Sequence, residues 1–115
     1  MGTLCGIGVD IVEMRRITGI RHVERFSEFF LSPHEQAQLA NSVDKAGFIA
    51  SRFAAKEAVI KAFPHTITAV DFEIRKNGVK PFVHFFNPAH RAYRVHVSLS
   101  HSTDYAAGYA QVETI

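Results

Sequence analysis

Three features of the 115-residue sequence predict an α+β fold. An apolar run rich in Ile and Val opens the chain, from Leu4 to Val12. A long helical stretch, Ala46 to Phe63, occupies its middle. After Pro64 the pattern changes to the alternation of strands and keeps it to Val112. One strand, then helices, then several antiparallel strands is an α+β order. The length places residues 1–115 in one domain, and a chain of this size buries roughly 65% of its unfolded surface.

Each element has its own signal. Leu4–Val12 reads as a buried strand, with Gly6 and Gly8 marking close backbone approach and Asp10 near its end. Ile17, Ile20, Val23, Phe26, Phe29 and Phe30 form a loosely helical stripe. Ser32-Pro33-His34-Glu35 is a helix start: serine caps, proline takes the first helical position and glutamate closes a capping box, giving a short helix that ends near Asn41. The Ala46–Phe63 helix is apolar around nearly its whole circumference, so it belongs at the centre of a core or an interface. Val70, Phe72 and Ile74 alternate with Asp71, Glu73 and Arg75. Asn77-Gly78 then signals a hairpin to a strand at Phe82–Phe86. Asn87-Pro88 breaks that strand. Arg94–Ser100 alternates again, Ser102-Thr103-Asp104 reads as a turn, and Tyr105–Val112 is a last strand of small residues.

Composition excludes several classes. Hydrophobic residues make up 47% and charged residues 21%, which is globular rather than disordered. No apolar run approaches the ~20 residues that span a bilayer, and the N-terminus lacks the pattern of a secretory signal. A single cysteine, Cys5, allows neither a disulfide framework nor a Cys-based zinc site, so a cytoplasmic location is expected. The net charge of +2 is mild. Arg15, Arg16, Arg21 and Arg25 concentrate it into a patch suited to an acidic partner. No nucleic-acid-binding module accompanies the patch.

Polar groups stand in apolar surroundings at three places. Asp10 leaves a buried strand; it either caps the next helix or pairs with a nearby arginine, or it serves a site. Arg52 and Lys56, and likewise Glu57 and Lys61, are four apart on the long helix, so each pair shares a face. Two solvated stripes with one Glu57–Lys61 salt bridge is one reading. The other is an external anion: apolar residues adjoin every charge, and three cations around one carboxylate exceed what internal pairing needs. Ser98 and Ser100 share one strand face beside His101. His34, His65, His84, His90 and His96 show no metal-ligand spacing, and phosphate-loop, dinucleotide and zinc-protease motifs are missing.

Together these segments resemble the phosphopantetheinyl transferases of the holo-acyl-carrier-protein synthase type. Gly8-Val9-Asp10-Ile11-Val12-Glu13 with Arg16-Ile17 resembles the first signature of that family. Arg52-Phe53-Ala54-Ala55-Lys56-Glu57-Ala58 with Lys61 resembles the second, and Val97-Ser98-Leu99-Ser100-His101 the third. The resemblance implies transfer of 4′-phosphopantetheine from coenzyme A to a serine of an apo-acyl carrier protein of fatty-acid synthesis, with release of adenosine 3′,5′-bisphosphate. It implies that Asp10 and Glu57 hold Mg²⁺ and that Lys61 neutralises the pyrophosphate. It places Arg52, Lys56, Lys61, Ser100 and His101 on coenzyme A, with His101 near the 3′-phosphate. Lys80-Pro81 resembles an element lining the adenine side, with Val79 in the place of its glycine. Glu57, directly or through a metal-bound water, is the first choice of base and Glu13 the second. Arg15, Arg16, Arg21 and Arg25 are implied to meet an acidic helix of the carrier. The short members of the family form homotrimers with coenzyme A between subunits. One departure stands out: Ala62-Phe63-Pro64-His65-Thr66 contains no glycine where the family has a glycine-rich segment. This motivates an alternative, a coenzyme A- or carrier-binding paralogue with little or no catalysis.

Overall fold

A computed structural model describes residues 2–115. Strand β1 (Leu4–Glu13) leads through short helices α1 (Met14–Thr18) and α2 (Val23–Ser27) into α3 (Pro33–Ala40) and the long helix α4 (Lys45–Ala62). A hairpin of β2 (Phe72–Asn77) and β3 (Lys80–Phe85) follows, then a 3₁₀ turn (Pro88–Ala92), β4 (Tyr93–His101) and β5 (Tyr105–Thr114). The strands make an antiparallel three-stranded sheet in the order β1-β5-β4 and a separate two-stranded sheet. The α+β expectation holds.

The sheet and α4 pack closely because both present small residues. A Cβ on Gly8 of β1 would lie 2.1 Å from the Ala58 carbonyl oxygen. One on Gly108 of β5 would lie 2.5 Å from the backbone of Ala54. Only hydrogen at these positions lets the helix settle onto the strands. Ala54, Ala55, Ala58 and Ala62 complete the contact from the helix side, all fully buried or nearly so. Around this seam Val59, Phe72, Ile74 and Val112 form one core cluster. Each such side chain contributes about 1.5–3 kcal/mol by leaving water. A second cluster joins Met14, Ile17, Phe30, Leu39 and Ile49 beneath the short helices.

Three details differ from the sequence reading. Strand β1, expected to be buried, is covered on one face only, and Ile7, Val9 and Ile11 on the other are exposed. The stripe from Ile17 to Phe30 is broken into two five-residue helices. The break falls at Gly19, which caps α1, and at His22, whose φ of 62° marks a left-handed turn before α2. The hairpin loop is Gly78-Val79 rather than Asn77-Gly78, because Asn77 still pairs with Lys80. Gly78, with φ of 65°, takes the first loop position, where glycine is favoured in type II′ hairpins.

Glu73 of β2 is buried and bonded to the Arg75 guanidinium. Burial raises its carboxyl pKa, but hydrogen bonds from Arg75 and Ser32 outweigh this and hold it below the ordinary 4.5. The stabilisation is therefore complete above that value and is lost as pH falls through the folded value. Thermal melts should show a Glu73→Gln variant losing less stability than the parent between about pH 5 and about pH 3. Parallel losses would remove Glu73 from the acid response.

Candidate active site

Alternation along β1 decides where Asp10 points. Ile7, Val9 and Ile11 lie on the outer face of the sheet and are exposed, whereas Gly8 is buried against α4. Asp10 shares the face of Gly8, toward the helix. It pairs across the sheet with Gly108, the residue seated on Ala54. Lys61, in the last turn of α4, reaches back to β1: its Nζ donates to Asp10 Oδ1 at 3.2 Å and to the Val9 carbonyl at 3.1 Å. Half-buried Glu57 stands one turn earlier on the same side of α4. The Glu57–Lys61 salt bridge of the first reading is replaced by a Lys61–Asp10 pair that ties the helix to the strand.

No group of three or more His, Cys, Asp or Glu side chains converges among the described residues. Two carboxylates from adjoining elements remain. Such a sparse, hard-oxygen set fits Mg²⁺, which accepts one or two protein carboxylates and completes its shell with water and substrate phosphates.

The structure gives Arg52 and Lys56 a different task from gripping coenzyme A. Both lie on another side of α4 and are buried, Lys56 to 1% exposure. The Lys56 ammonium is 2.8 Å from Glu35 Oε1 and bonds to the carbonyls of Phe30, Ala69 and Phe72 at 2.6, 2.9 and 2.9 Å. A lysine has three N–H donors, so none remains for a ligand. Arg52 Nε is 3.9 Å from Glu35 Oε2, and its guanidinium lies over the Phe48 ring. Burial lowers both pKa values, and Glu35 opposes the shift. The anion that Lys56 called for is thus internal, while the buried Arg52 Nε is left without a hydrogen-bond partner among the described residues. The sequence reading assigned Glu35 only to the capping box, which it does close: Ser32 accepts from the Glu35 N–H, and Ser32 N donates to Glu35 Oε1. Its other oxygen also accepts the Ile74 N–H at 3.1 Å. One carboxylate therefore links α3, α4 and β2. The surplus of cations (Arg52, Lys56, Lys61) over the one carboxylate, Glu57, on the apolar helix was the signal that could have found it.

The remaining expected residues are distributed around these elements. Ser98 and Ser100 lie on the exposed face of β4, and His101 closes that strand. His101 Nε2 is 3.3 Å from Asp44 Oδ2. Lys80 is exposed and Pro81 half-buried at the start of β3. Arg15 and Arg16 lie on α1, Arg21 in the following turn and Arg25 on α2, all exposed. Glu13 is ion-paired to Arg15 at 2.6 Å. Arg16 and Asp10 border one groove, of about 400 Å³, floored by Ile17, Ile20, Phe26 and Phe53.

This combination of fold and motif placement defines a class. The family model for the 4′-phosphopantetheinyl transferase superfamily matches residues 6–110. The chain belongs to that superfamily and is a phosphopantetheinyl transferase. Within it, the chain is similar to proteins named holo-[acyl-carrier-protein] synthase. It is 40% identical to that of Anoxybacillus flavithermus, covering 97% of this chain and 98% of the relative. It is 39% identical to that of Bacillus subtilis, covering 96% of each. The holo-(acyl-carrier-protein) synthase of Bacillus anthracis, solved in complex with CoA (3′,5′-ADP), superposes with a TM-score of 0.83 at 31% identity over 97% of this chain and 98% of that one. The Helicobacter pylori synthase in complex with coenzyme A gives 0.78, also at 31%, over 92% and 98%.

Proposed function

We propose that this chain moves 4′-phosphopantetheine from coenzyme A onto a serine of an apo-acyl carrier protein in fatty-acid synthesis, with Mg²⁺ held by Asp10 and Glu57. The observation that carries this reading is the Lys61–Asp10 contact. It joins the strand of the first motif to the helix of the second and leaves Glu57 beside them. Coenzyme A as donor follows from the complexes of the Bacillus anthracis and Helicobacter pylori relatives. Mg²⁺ would supply concentrated positive charge to the pyrophosphate oxygens.

The chain's own groups do the rest. The carrier serine oxygen attacks the phosphorus that bears pantetheine, and the bond from that phosphorus to the bridging oxygen breaks. Glu57 takes the serine proton; Glu13 is less suited, being tied to Arg15. Lys61 lies at the same contact and offsets charge on the leaving bisphosphate. Ser100 and His101 face the 3′-phosphate end, and Lys80-Pro81 the adenine side. Arg15, Arg16, Arg21 and Arg25 steer an acidic carrier helix toward the groove beside Asp10.

A second copy fits the outer face of the three-stranded sheet. Ile7, Val9 and Ile11 there are 61–67% exposed, with Tyr105 and Tyr109 alongside. An apolar sheet face of this kind marks an interface. We assign it to a homotrimer whose sites lie between subunits. Sedimentation equilibrium should give three copies for the parent and one for Val9→Asp. A monomeric parent at micromolar concentration contradicts the assignment.

The competing reading is a binder without useful catalysis. What favours it is the glycine-free segment after Lys61. Phe63 is buried against Phe85 and Tyr93, and His65 bonds to the Tyr93 hydroxyl at 2.9 Å. A mass gain on an apo carrier incubated with coenzyme A and Mg²⁺ supports transfer. Coenzyme A binding without that gain supports the binder.

A further inference from the structure

The imidazole of His101 already has an anionic neighbour. Asp44, the N-cap of α4, accepts the Gly47 N–H through Oδ1 at 2.9 Å and meets His101 Nε2 with Oδ2 at 3.3 Å. One carboxylate thus connects the start of the long helix to the end of β4. Gly47 packs directly against this pair: a Cβ there would lie 2.2 Å from Asp44 Oδ2 and 2.8 Å from His101 Nε2, so a side chain at this position would push the two groups aside. The adjacent cation, Lys45, is engaged elsewhere: its Nζ donates to the carbonyls of Leu39, Ala40 and Ser42, each at 3.2 Å. Both side chains of the pair are partly exposed, 40% for His101 and 61% for Asp44, so an anion from solvent can reach the imidazole.

We propose that Asp44 is a specificity-determining residue that competes with the 3′-phosphate of coenzyme A for His101. The proposal rests on the reading of His101 as a contact of that phosphate. A ring nitrogen offers one N–H, and here a carboxylate faces it. An arriving phosphate has to displace that carboxylate or bind beside a like charge, which weakens its hold. The chain should therefore distinguish coenzyme A from 3′-dephospho-coenzyme A less sharply than its histidine alone would allow. Asp44→Asn removes the charge and keeps the cap, because Asn and Asp cap helices equally well.

Titration calorimetry with both ligands tests this on the parent, Asp44→Asn, His101→Ala and the double variant. Asp44→Asn should tighten coenzyme A by about threefold to tenfold and 3′-dephospho-coenzyme A by less than about twofold. The gain should shrink at high salt and vanish when His101 is absent. Equal changes for the two ligands, no change for either, or a gain that survives His101→Ala would overturn the proposal. If Asp44→Asn melts early, Asp44→Ser retains a cap without charge and answers the same question. Failure of the underlying reading looks different. His101→Ala would then leave coenzyme A affinity intact in the otherwise unchanged chain, or neither ligand would bind at all, and the proposal falls with it.

Discussion

Replacing Glu57 by Gln lowers phosphopantetheine transfer by at least about a hundredfold, the scale of removing one preorganised electrostatic group from a reacting centre. Asp10→Asn has a similar effect. In both variants the loss falls on the rate at saturating coenzyme A, and raising Mg²⁺ recovers part of it if ligand number is what limits. Stability should change little. The Asp10–Lys61 pair has a half-exposed lysine, and pairs of that kind contribute about 0–1 kcal/mol. Single-turnover assays beside thermal melts separate the two effects. Undiminished transfer in either variant removes that carboxylate from the metal site.

Glu35→Ala has the opposite profile, a large loss of stability with no direct part in the chemistry. It strands the Lys56 ammonium and the Arg52 guanidinium in the interior, and breaking a buried pair from one side costs about 3–5 kcal/mol. Set against a typical total of about 5–15 kcal/mol, that takes much of the fold with it. The effect spreads because Glu35 also receives the Ile74 N–H, so α3, α4 and β2 loosen together. Urea denaturation measures the loss. Glu35→Gln, which keeps acceptor oxygen for the Lys56 ammonium and the Ile74 N–H, should lose less stability than Glu35→Ala, which leaves both without it. A Glu35→Ala variant within about 1 kcal/mol of the parent would contradict the account of this network.

The fold was largely legible in the chain because each element carries a local cause. The Ser32–Glu35 capping box starts α3 as read, and the period-two patterns around Phe72 and Val97 are strands. Gly8 could be read as a point of close approach, but the surface it approaches, the Ala58 turn of α4, is a tertiary fact. Of the site, Asp10, Glu57 and Lys61 stood out as charges in apolar settings. Their grouping did not, because Lys61 chooses Asp10, 51 residues away, over Glu57 on its own helix. Arg52 and Lys56 show the limit more clearly. Spacing four apart places them on one face, but only the packing of α3 reveals that Glu35 already pairs with Lys56 and lies near Arg52. The Asp44–His101 pair escaped notice for the same reason: a helix cap and a strand end meet only in three dimensions.

The most direct test of the transferase reading is intact-mass spectrometry of an apo-acyl carrier protein incubated with this protein and coenzyme A, with Mg²⁺ and with a chelator in its place. The account predicts a carrier heavier by one phosphopantetheine group, on a serine, only where Mg²⁺ is present. A carrier whose mass never changes while coenzyme A binds, or a mass gain indifferent to the chelator, would contradict it.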